Sequence, residues 1–267
     1  MPTHAARTRR RTHPPETHDP HDPRACECPA AAIREERYDD EYDGRYHEPC
    51  GAGFVLEHDE GDGIPPFDYD ELEELALRFR EDRRTRGIQE ANTDWVSGPL
   101  DEWLDGLDGD RCPDRATLMA FAAGMHETLA IRDALILSLV VDERHCPKSQ
   151  LMEFAARPHR ARTKKAMGRL LTWAFEDEGL VPDEDRCRIG VDILLEMAVA
   201  SPVPYCIQPL AVVSYVLWWL GDPKAAVFAL QCLLLDEDCS LAAMIFSASD
   251  RGIAPAWCKA RTLAAGR

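Results

Sequence analysis

Residues 209–249 read PLAVVSYVLWWLGDPKAAVFALQCLLLDEDCSLAAMIFSAS, and this stretch decides the fold class. No charged residue occurs from Met197 to Gly221, which raises the question of a membrane span, for which about 20 apolar residues suffice. Pro202, Pro204 and Pro209 answer it. Proline lacks the backbone donor and clashes with the preceding helical turn, so the helix left over, Leu210 to Leu220, is too short to cross a bilayer and suits a protein core. Gly221-Asp222-Pro223 supplies a stop, a turn and a restart: glycine fits the left-handed position after a helix, and proline fits the first turn of the next. Ala226, Ala229, Leu230, Leu233 and Leu234 then recur at helical spacing. Asp236-Glu237-Asp238 ends that run, and Leu241, Met244, Ile245 and Ala248 begin a third periodic face. Two helices joined by so short a turn pack antiparallel. The stretch therefore predicts a helical hairpin with a third helix laid against it.

The same pattern extends outward. Leu72, Leu75, Ala76 and Phe79 form an apolar stripe behind an expected capping box of Asp70 and Glu73, in a helix ending by Gly87. A turn-rich piece around Trp95 and a short helix from Leu100 to Leu107 are expected next. Cys112-Pro113-Asp114 opens a helix through Met119 and Ala122, with a break at Gly124. Leu129 to Val141 is a strongly apolar helix, followed by a short one at Ser149 to Ala156. Thr163 is expected to cap a helix whose face is Met167, Leu170, Leu171 and Ala174. Pro182-Asp183 opens another with Ile189, Ile193, Leu194 and Met197 inside. No alternating β-branched run with hairpin turns signals a sheet. The prediction is an all-α domain over residues 67–267, of about eight to ten helices, with a tetratricopeptide-like hairpin near its end. A repeating array would show a period of about 34 residues, and a single such unit is found.

Residues 1–66 differ. They hold nine prolines, several histidines and few large aliphatics, and between Arg34 and Gly63 acids far outnumber the three arginines. So polar a segment buries too little apolar surface to offset its ordering entropy, and disorder is the expectation. The N-terminus has basic residues without a following apolar region, so no secretory signal is read. Cys146, Cys187, Cys206, Cys232, Cys239 and Cys258 lie at irregular intervals in or beside helices, which suits buried, reduced thiols in a cytoplasmic protein. The net charge of −17 repels phosphate backbones and disfavours general nucleic-acid binding. Few lysines, many arginines and abundant Ala and Asp suggest a high-GC genome.

Trp218 with Gly221-Asp222, then Ala226, Ala229-Leu230, Asp238, Ser240-Leu241-Ala242, Gly252 and Pro255, resembles the C-terminal end of the actinobacterial domain-of-unknown-function family 4192. Arg132-Asp133-Ala134-Leu135 is similar to another recurrent stretch of that family, and the likeness spans roughly Leu129 to Lys259. It implies no activity. Family members usually carry an additional N-terminal α/β region, to which the resemblance matches no stretch of this sequence.

Candidate chemistry is sparse. His21, Cys26, Cys28, His47 and Cys50 contain zinc-ligating types, but Cys26-Glu27-Cys28 is too tight for the usual knuckle. Arg7, Arg9, Arg10 and Arg11 read as a solvated terminus rather than a nucleic-acid arm. The acidic stretches Glu57–Asp62 and Asp101–Asp110 lack the oxygen pattern of a calcium loop, and Gly51-Ala52-Gly53 lacks the third glycine and the helix of a dinucleotide loop. His126-Glu127 is no zinc-protease motif, Ser247 and Ser249 have no nucleophile-elbow context, and His145-Cys146 is only adjacent in sequence. No catalytic, cofactor-binding or metal-binding residue is assigned. Trp218, Trp219 and Trp257 offer aromatic anchors, of which at least one of the adjacent pair belongs in the core. Three readings follow: a non-enzymatic helical interaction or scaffold protein with a protein partner; an enzyme or enzyme remnant working through Arg132 and Asp133; and a zinc-binding tail.

Overall fold

The computed structural model describes residues 64–109 and 112–265, with side chains as far as Arg261. The disorder expected over residues 1–66 falls outside these as far as residue 63, as do the candidate zinc ligands there. The described residues form eleven α-helices and no strand: α1 (Tyr69–Thr85), α2 (Ile88–Leu107), α3 (Arg115–Glu127), α4 (Leu129–Val140), α5 (Lys148–Ala156), α6 (Ala161–Glu176), α7 (Glu184–Ala200), α8 (Ile207–Trp219), α9 (Lys224–Leu235), α10 (Ser240–Asp250) and α11 (Ala256–Ala265). The fold is all-α, as the periodicity predicts.

Helix α8 is the central element, packed against α3, α4, α7, α9 and α10. Its apolarity follows from that position: Ala211, Val212, Val213, Ser214 and Val216 are fully buried, so almost every face meets another helix. The expected hairpin is α8–α9, with α10 laid across both. Gly221 ends α8 at φ +74°, a conformation that disfavours any side chain, and the N–H of Asp222 reaches back to the Leu217 carbonyl at 2.8 Å. Ala211, Ala225, Ala229 and Ala242 are all buried between these helices, where small residues permit close approach.

Several boundaries differ from expectation, each for a local reason. Asp68, not Asp70, caps α1, accepting from the N–H groups of Asp70 and Glu71 at 2.8 and 3.2 Å. The turn-rich piece is part of one helix: α2 runs unbroken through Gly98 and Pro99, and its buried residues Ala91, Asn92, Val96, Leu100, Trp103 and Leu107 keep helical spacing throughout. Burial of that face outweighs the bond lost at proline. Gly124 does not break α3; a β-carbon there would lie 2.7 Å from Trp95 Nε1, so glycine permits a close helix approach. The break comes four residues later at Thr128, whose backbone is extended. Arg160, not Thr163, precedes α6, and Thr163 instead donates to Glu153 Oε1 at 3.3 Å. The C-terminal helix α11 was not expected; Trp257 anchors it at 2% exposure. Ahead of α1, Phe67 is buried and its N–H donates to the Ala200 carbonyl at 2.6 Å, while Ile64 packs against the core.

No described helix is long and apolar enough to cross a membrane.

Candidate functional site

Arg132 and Asp133 sit on the first turns of α4. The Arg132 side chain is almost fully buried, and its Nε and Nη2 both donate to Asp133 Oδ1, at 3.0 and 2.7 Å. Its Nη1 donates to Gln208 Oε1 at 3.1 Å. Gln208 lies in the first turn of α8, so the arginine fork ties α4 to the central helix. A buried cation whose donors are satisfied in this way is held rigidly. In the structure Arg132 links Asp133 on α4 to Gln208 on α8.

The other sequence candidates are dispersed. His126 packs on the Tyr205 ring at 4.9 Å between centroids, and His145 pairs with Asp142 at 2.6 Å. Cys146 beside it is buried, and burial pushes its thiol up to about 12, the opposite of an activated nucleophile. Of the acids between Asp101 and Asp110, Asp101 accepts from Lys148 and Asp108 from Arg186, so they tie α2 to α5 and α7. Groups of three or more ligating side chains suited to a metal are absent among the described residues. Trp219 is 1% exposed, whereas Trp218 is partly buried and donates its Nε1–H to the Ile253 carbonyl at 2.8 Å. Trp218 stacks on Phe175 at 6.0 Å and meets Tyr215 edge-on at 5.6 Å. The tryptophans are packed together rather than presented.

Three features escape a reading of sequence. First, Cys232 at the end of α9 and Cys239 at the cap of α10 meet across the Asp236–Asp238 turn, and both are closed to solvent. The Cys232 thiol reaches the Ile207 carbonyl at 3.4 Å and interacts with the Cys239 sulfur by hydrogen bonding. That hydrogen bond, with the Ala242 N–H and the Arg132 charge, lowers the Cys239 thiol to about 6 against the opposing effects of burial and Asp236. The Cys232 thiol is raised, by the same hydrogen bond and by burial. The seven-residue spacing signals nothing until the turn is folded.

Second, the apolar face of α9 is rotated from the expected one. Ala225, Phe228, Ala229 and Cys232 are buried, while Val227, Leu230 and Leu234 are 46%, 47% and 76% exposed. On α10, Ala242 faces inward and Met244 is 52% exposed. The i, i+3, i+7 series on α9 is thus an unpartnered apolar stripe. On the α7 side of α9 lies a groove of about 370 Å³ with Leu195, Leu217 and Phe228 in its wall and Arg188, Asp192 and Lys224 on its rim. Asp236, Glu237 and Asp238 stand at the C-terminal end of the stripe.

Third, the turn from α5 into α6 and the first half of α6 carry six cations between Arg157 and Arg169 and no acid. In a chain so acidic overall this local excess is easily passed over, and it gains meaning only when the turn is seen to border a cavity.

Compared with family models, curated proteins and solved structures, the chain matches none of them.

Proposed function

We propose that the helical domain is a non-enzymatic, cytoplasmic interaction module that docks a protein partner on the α9–α10 face. The observation that carries this reading is the exposed stripe Val227, Leu230 and Leu234 on α9; Met244 on the neighbouring α10 is exposed as well. An amphipathic helix normally turns such residues inward; here α9 has a second, separate apolar face already buried against α8. Exposed apolar residues set beside a charged rim are the composition of a docking surface. The acidic turn Asp236–Asp238 and the net charge of −17 favour a partner segment with apolar anchors and basic flanks.

The kinship with the domain-of-unknown-function family 4192 belongs to the same proposal. It is supported by where its motif residues lie: Gly221 and Gly252 occupy positive-φ positions after α8 and α10, and Arg132 forms the α4–α8 clamp.

The test is affinity purification of the full chain from its host, in parallel with the variant Leu230→Glu/Leu234→Glu. A stoichiometric protein companion retained by the first and lost by the second, with unchanged helicity, supports the module. A companion retained equally by both, or none on either, overturns it.

A further inference from the structure

The turn between α5 and α6 borders a cavity of about 500 Å³ lined by Gln150, Glu153, Arg157, Arg160, Arg162 and Thr163, among others. Its charge arrangement is uneven. Glu153 is the one acid among these residues, and it is already engaged: Oε2 accepts from Arg157 at 2.9 Å and Oε1 accepts from Thr163. Arg160 has a single long contact, to Gln89 Oε1 at 3.5 Å. Arg162 has no ion pair or hydrogen bond among the described residues. Lys164 and Lys165 follow early in α6, both exposed. The 16-residue α6 begins here with no side chain capping it, so its positive dipole end adds to the arginine field.

We propose that this cavity is a binding site for a small phosphate-bearing anion, of the pyrophosphate or nucleotide-polyphosphate class. Guanidinium groups match phosphate oxygens through paired N–H donors, and two of them stand here without a carboxylate partner of their own. The volume is within the range of small-ligand pockets, about 300–1,000 Å³. The rest of the molecule selects against longer polyanions: a nucleic-acid backbone reaching past this turn meets a chain of net charge −17 and is repelled. A compact anion remains wholly within the basic turn. The site is separate from the α9–α10 stripe and stands or falls independently of it.

Calorimetric titration of the full chain with inorganic pyrophosphate at low ionic strength tests the site. Saturable one-site binding is expected, weakened about tenfold or more by Arg162→Ala, and further by Arg160→Ala/Arg162→Ala. Both arginines are exposed, so circular dichroism should match the parent. Arg169→Ala removes the same charge from α6 without touching the cavity lining and should change affinity by no more than about twofold. No binding of pyrophosphate overturns the proposal. So does an equal loss from Arg169→Ala, which would mark diffuse attraction, or tighter binding of a short single-stranded oligonucleotide through the same arginines.

Discussion

Cys239 is a buried thiol whose proton is held less tightly than usual because Cys232 donates to it, and the consequence for stability has a definite sign. Its pKa in the folded chain, about 6, lies below the ordinary thiol value. Between that value and the ordinary one, near 8.5 in an unfolded chain, unfolding takes up a proton, so the contribution grows as pH rises through this window and is lost as pH falls through about 6. Above the window the raised Cys232 thiol acts the other way, since unfolding then releases its proton. The urea midpoint of the parent should therefore rise with pH relative to Cys239→Ser across the window. Parallel profiles for the two proteins would remove the thiolate. At Gly124 the constraint is steric. A β-carbon would lie 2.7 Å from Trp95 Nε1 and 2.9 Å from Ile131 Cδ1, and the Trp95 N–H is itself committed to the Ala120 carbonyl. Overpacking costs about 1–3 kcal/mol and exceeds the gain of about 1 kcal/mol from replacing a helical glycine. Gly124→Ala should lower the denaturation midpoint; a rise would show that Trp95 moves aside freely.

At the scale of elements, α4 and α8 are joined by the Arg132 fork. Arg132→Ala leaves Gln208 and Asp133 without their shared donor and should cost about 2 kcal/mol in equilibrium unfolding, the typical range for hydrogen bonds to charged groups. Gln208→Ala should cost less, because the Asp133 contacts persist. Helix α2 gives the opposite kind of test. Pro99 is partly exposed in its interior, where proline is worse than alanine by about 3 kcal/mol in model helices. Pro99→Ala should raise the urea midpoint, by about 1 kcal/mol or more in stability once local relaxation is allowed. A loss of stability would mean that the proline ring contributes packing that outweighs the restored bond to the Trp95 carbonyl.

For the molecule as a whole, the segment before α1 fastens the start of the domain to the end of α7. Phe67 is 5% exposed, and its N–H bond to Ala200 crosses more than half of the described chain. Chains starting at Met1 and at Ile64 serve as the references. Removing residues through Phe67 should cost about 2 kcal/mol for the lost aromatic burial alone. Equal midpoints for all three chains would show that Phe67 is an ornament of the core rather than part of it. The exposed stripe of α9 is expected to behave differently: glutamate at Leu230 and Leu234 should alter stability by less than about 0.5 kcal/mol each, because neither side chain is packed away.

The helical class, the hairpin and most helix starts are legible in the residues alone, because these depend on local chemistry. Proline and glycine at 221–223, aspartates at 114 and 183, and apolar spacing within each helix act over a few residues and are read directly. Sequence could not fix which of two apolar faces of α9 is buried, since Ala225 and Phe228 compete with Leu230 and Leu234 and only the position of α8 decides between them. It missed the continuity of α2 because Gly98-Pro99 is a strong local breaker, outweighed by a buried stripe whose partners are distant in sequence. Only the tertiary structure brought Arg132 to Gln208, set Cys232 against Cys239, and gathered the arginines of the α5–α6 turn around a cavity. The physical reason is the same in each case: these pairings depend on how helices cross, and crossing is settled by the packing of whole faces rather than by any residue's neighbours in the chain.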